Sequence, residues 1–208
     1  MTKGRLEAFS DGVLAIIITI MVLEMKVPLG SDFSALHPLW PVFLSYVLSY
    51  LYLAIYWNNH HHMLHGAKRI NGKILWANLH LLFWLSLVPF VTGWMGENQF
   101  DPLPTALYGV ILLFAALAYW TLQQTLIAEH GKDSTLARAV GTDWKGKSSP
   151  LIYLAAIPAC FLHPAIGGAL YLLVALIWLI PDPRIERALK EEAEHTNAVN
   201  PAKEVEGQ

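Results

Sequence analysis

The segment that most constrains this chain is 5–27, RLEAFSDGVLAIIITIMVLEMKV. From Gly12 to Leu23 it is apolar, with Thr19 the only polar interruption. About 20 predominantly apolar residues span the hydrocarbon core of a bilayer, so a helix here is long enough to cross one. Arg5, Glu7 and Asp11 stand at its entry and Glu24 and Lys26 at its exit. Asp11 lies close to hydrocarbon depth, where a carboxylate needs protein partners or water. The entry end of this helix is therefore expected to be buried against protein or to lie near water.

The rest of the chain fits a bundle around that helix. Of 208 residues, 55% are hydrophobic and only 14% charged, against about 25% charged in soluble domains. Six apolar segments are legible, at 5–27, 38–65, 70–95, 103–129, 148–162 and 164–181. Pro28 and Gly30 end the first, and Pro38 and Pro41 open the second, where proline suits a first helical turn. Gly66 and Asn71-Gly72 separate the second from the third, and 96–104 the third from the fourth. One helix over 148–180 would overrun a bilayer, so a hairpin at His163-Pro164 is expected. The fold class is all-α integral membrane protein with six transmembrane helices, a transmembrane domain over 1–181 and a polar cytoplasmic tail over 182–208. The first helix is read as retained, because Leu23-Glu24-Met25-Lys26 is no small-residue cleavage site.

Orientation follows from Lys and Arg, which favour the cytoplasmic side. With six spans and both termini cytoplasmic, thirteen of the fourteen fall inside, and only Lys26 falls outside. No basic run with interleaved aromatics points to nucleic acid, and the single Cys160 excludes a disulfide framework.

Two residue sets carry the candidate chemistry. Ile16, Thr19, Ile20 and Leu23 recur at helical spacing and form one stripe. Asp11 precedes Ile16 by five residues, about 140° around the helix axis. The stripe suits packing against other helices or lipid. The polar set comprises Arg5, Ser10 and Asp11 on the first helix, Trp57 to His62 and His65 on the second, and Asn78 and His80 on the third. A buried acid needs donors, and His, Asn and the Trp N–H supply them. His61 and His65 are an i, i+4 pair able to share a metal ion, but no acid follows the first His as in H-E-x-x-H, and no third ligand is evident. The sequence lacks G-x-S-x-G, a phosphate loop and the Thr-Val-Gly-Tyr-Gly potassium filter. Thr92-Gly93-Trp94-Met95-Gly96 does not replace that filter.

Arg5-x-x-x-Phe9-Ser10-Asp11 resembles the R-x-x-x-F-S-D signature of the transmembrane protein 175 family of potassium channels, lysosomal in animals and also bacterial. Trp57-x-x-His60, Asn78-Leu79 and Pro89-Phe90-x-Thr92 follow in the family's order. The likeness is strong over about 95 contiguous residues and general beyond them. It implies a bacterial inner-membrane channel, not an enzyme, with no cofactor. A single repeat implies a homotetramer that passes K+ and other monovalent cations, its central pore lined by the first helix. Ile16 would be the constriction acting as gate or selectivity element, with Thr19, Ile20 and Leu23 as further layers. Arg5, Phe9, Ser10, Asp11, Trp57, His60 and Asn78 would form a structural network away from the pore, with the imidazole facing Asp11 left open among His60, His61 and His62. Glu24 would form an outer acidic ring, or else pair with Lys26. The alternative is a proton- or ion-coupled transporter using Asp11 and His60 as a relay.

Overall fold

A computed structural model describes residues 2–131, 134–141 and 143–179. The expected tail, 182–208, lies outside the described residues. All regular structure described is helical. In chain order the helices are α1 (Lys3–Leu23), α2 (Trp40–His65), α3 (Gly72–Ser86), α4 (Val88–Glu97), α5 (Pro102–His130), α6 (Thr135–Val140), α7 (Trp144–Leu162) and α8 (Pro164–Leu179). A short 3-10 stretch, Phe33–Leu39, leads into α2.

Local chemistry sets the boundaries. Asp32 accepts from Ala35 N at 3.3 Å, Asn71 from Ile74 N at 2.9 Å and Asp143 from Gly146 N at 3.0 Å. Each satisfies a first-turn N–H that has no intrahelical partner. Pro41, Pro89 and Pro102 sit in first turns. The apolar stretch expected as one helix over 70–95 is broken at Leu87, whose N–H reaches Trp84 O at 3.2 Å. The cause is Pro89, which has no N–H and whose ring crowds the carbonyl of Leu85, four residues earlier. α1 ends at Leu23 rather than at 27, and α7, the fifth expected segment, begins at Trp144 rather than 148.

Four stretches are long and apolar enough to cross a membrane: Lys3–Leu23, Phe33–His65, Gly72–Glu97 and Pro102–His130. α8 is apolar but has 16 residues, about 24 Å of helix. α7 and α8 form the expected antiparallel hairpin around His163, whose backbone is extended. Trp178 Nε1 of α8 donates to Ser149 Oγ near the start of α7, at 2.8 Å.

α5 packs against α3, α4, α7 and α8. Tyr52, Tyr108, Tyr153 and Tyr171 meet in the core. Buried polar atoms need partners, and these four hydroxyls have them. Tyr153 donates to the Tyr52 hydroxyl at 3.2 Å, Tyr52 to Tyr171 O at 2.6 Å and Tyr171 to Thr105 O at 3.1 Å. The Tyr108 hydroxyl pairs with Ser49 Oγ at 3.0 Å. Tyr171 can approach α5 only because position 109 is glycine, where a Cβ would collide with its hydroxyl.

Candidate pore-forming site on α1

α1 packs against α2, α3 and α4, and its residues divide by helical phase. Leu6, Ser10, Leu14, Ile17 and Met21 are buried, at spacings of three and four that define one helix face. A second face, Arg5, Phe9, Ile16, Thr19, Ile20 and Leu23, is exposed in the protomer. Ile16 is 59% exposed and Leu23 80%. Ile16, Ile20 and Glu24 also border an open groove of about 710 Å³, walled on the far side by Phe90, Trp94 and Glu97 of α4. The Thr19 hydroxyl folds back onto the carbonyls of Ile16 and Ala15, at 2.9 and 3.1 Å.

Ser10 on the buried face and the half-buried Asp11 beside it anchor the polar contacts of α1. Trp57 Nε1 donates to Asp11 Oδ1 at 2.9 Å. Asn78 Nδ2 donates to Ser10 Oγ at 3.0 Å, and Ser10 donates to Leu6 O at 2.9 Å. Asn78 Oδ1 is then the acceptor for His60 Nε2 at 2.6 Å, which places the proton on that nitrogen. The imidazole left unassigned in the sequence is therefore answered differently. Asp11 is held by the indole, and no hydrogen bond joins it to His60. His61 is exposed and stacks between Trp57 and His65, with ring centroids 6.2 and 6.1 Å away.

Arg5 and Phe9 do not join this network within the protomer. Both share the phase of Ile16, about 120° around the helix axis from the buried stripe, so they lie on the open face. The proposed pairing of Glu24 with Lys26 is also absent. Lys26 Nζ instead meets Glu97 Oε1 at 2.7 Å, and the Glu97 carboxylate holds the ammonium above its ordinary pKa. Glu24 caps the end of α1 and stays exposed. Glu97 was missed, although its place just past an apolar segment and on the same membrane side as Lys26 was a usable signal. Among the described residues no group of three or more His, Cys, Asp or Glu could hold a metal ion.

Apolar helices of spanning length, a half-buried acid held by a neighbouring helix and a bare aliphatic face beside it define a multi-pass membrane protein built to pack against further copies or lipid. Comparisons with known proteins fix the family. The model for the endosomal/lysosomal potassium channel TMEM175 matches residues 5–89. A protein named as a potassium channel from Chryseobacterium sp. (strain P1-3) is 55% identical over 191 residues, 92% of this chain and 100% of that one. Human TMEM175, named an endosomal/lysosomal proton channel, is 32% identical over 140 residues, 58% of this chain and 28% of that one. The crystal structure of a lysosomal potassium-selective channel TMEM175 homolog from Chamaesiphon minutus matches with a TM-score of 0.73 at 28% identity, over 86% of this chain and 96% of that one. The chain belongs to the TMEM175 channel family.

Proposed function

We propose that the protein is a potassium-conducting channel in which four copies place their α1 helices around one axis. The observation that carries this reading is the uncovered stripe of Ile16, Thr19, Ile20 and Leu23, in a chain with relatives named as potassium channels. A single protomer leaves that stripe without protein cover, and four stripes facing one another would enclose a narrow path. Branched aliphatic rings resist water, so a constriction at Ile16 would gate by dewetting and oblige ions to shed hydration. Thr19 hydroxyls would supply partial replacement for that hydration, and Glu24 would concentrate cations at the outer mouth. Two hydrogen-bonded sets, Asp11 with Trp57 and Ser10 with Asn78 and His60, hold the wall of the pore in place without touching ions. The proposed setting is six spans in the bacterial inner membrane, with both termini cytoplasmic.

Bilayer recording of purified protein under bi-ionic K+/Na+ conditions tests this. Unitary currents reversing on the K+-selective side are expected, and Ile16→Asn should enlarge the current or blunt the selectivity. Saturable flux without unitary steps would instead mean a coupled transporter. Unchanged conductance and ion preference in Ile16→Asn would remove Ile16 from the pore.

A further inference from the structure

Away from α1, four helices enclose a second feature. A cavity of about 40 Å³ lies between α2, α5, α7 and α8. On the same measure one water needs roughly 10–15 Å³, so a small polyatomic group fits, with its tail leaving through the mouth. The walls include Tyr56, Tyr119, Trp120, Tyr153 and Trp178, and Asp143 completes the lining. The rings are braced against one another. Tyr119 meets Tyr56 edge-on at 6.0 Å and Trp178 edge-on at 6.2 Å, and the Trp178 N–H is anchored on Ser149. Trp120 is 46% exposed and forms the outer wall.

Asp143 sits in the left-handed region, with φ 39° and ψ 53°, which aspartate enters more readily than most side chains. One carboxylate oxygen caps α7 through Gly146 N. The other makes no hydrogen bond among the described residues, and neither does the Tyr56 hydroxyl. A carboxylate beside several tyrosine and tryptophan rings is the chemistry that recognises alkylammonium groups, through ring quadrupoles and charge.

We propose that this cavity binds an alkylammonium group, from either a free organic cation or an ammonium-bearing lipid headgroup. The site lies within one protomer, so it is independent of the pore reading.

The test uses the purified full-length protein in phosphatidylglycerol nanodiscs, titrated by calorimetry with choline and with dimethylbutanol, its uncharged carbon isostere. Choline should bind once per chain, and about tenfold more tightly than the isostere. Asp143→Asn should weaken choline by about tenfold while keeping the helix cap, because asparagine caps as well as aspartate. Trp120→Leu, at an exposed wall, should weaken it without loss of folding. In nanodiscs containing phosphatidylethanolamine, weakened choline binding identifies the lipid headgroup as a competing source, and unchanged binding identifies the free cation. No choline binding, equal binding of the isostere, or insensitivity to both substitutions would overturn the proposal. One choline per four chains would place the cation in an axial pore and overturn it as well.

Discussion

Asn78 joins α1 to α2 through one amide: its oxygen accepts from His60 Nε2–H and its nitrogen donates to Ser10 Oγ. All three side chains are buried to 2% exposure or less. Removing one partner strands the others, and each stranded group costs about 1–3 kcal/mol. Asn78→Ala should therefore lower the melting temperature of the detergent-solubilised protein by several degrees, and by more than Ser10→Ala, which strands only one amide hydrogen. The Lys26–Glu97 pair is the contrasting case. Both side chains are at least half exposed, where ion pairs are screened and held back by side-chain entropy. Because Glu97 raises the Lys26 pKa, the pair's contribution is fully present below the ordinary lysine value and is lost as pH rises through the raised one. At neutral pH Glu97→Gln should leave the melting temperature unchanged within error, and a clear drop would mean that the pair is buried in the assembly.

Helix-to-helix distance is decided by small residues at a few crossings. Gly96 of α4 is one: a Cβ there would stand 2.7 Å from Val42 Cα and 2.5 Å from Ser45 Oγ of α2. The obstacle includes backbone, which cannot turn aside as a flexible side chain does. Close helix approach through glycine and serine is a recurrent device in membranes, where lipid tails are as apolar as leucine and packing supplies the attraction. Gly96→Ala should cost about 1–3 kcal/mol through overpacking, read as a lower melting temperature, whereas Gly93→Ala, with open space around its Cβ position, should not. A second element-scale feature is the break at Leu87, which lets α4 continue in a slightly different direction from α3. Thr92 on that second piece then reaches Ser49 Oγ of α2 at 2.6 Å, closing the contact between α2 and α4.

For the whole molecule, the open face of α1 makes the sharpest demand. Leu23→Cys should form disulfide-linked dimers under mild oxidation in membranes if α1 helices meet at an axis, whereas Leu172→Cys on α8 should not. Native Cys160 is buried in the core and should remain silent. Gel analysis showing cross-links at position 172 and none at 23 would invert the proposed arrangement. Much of this architecture was legible in the chain itself. Apolar length and the spacing of Ile16, Ile20 and Leu23 are local properties, and so are the turn signals at Pro41, Asn71 and Pro164. Partner choice was not legible, because turning a helix by one residue, about 100°, presents a different side chain to its neighbour. Asp11 therefore found Trp57 rather than a histidine, Arg5 and Phe9 fell on the outer face, and Lys26 reached across 71 positions to Glu97. The aromatic cavity at Asp143 required four helices to converge from distant parts of the chain. The sequence by itself determined that this chain crosses a membrane and which residues of α1 share a face, since hydrophobicity and periodicity act within each segment. Only the tertiary structure decided which side chains meet, since that depends on the mutual rotation of helices far apart along the chain.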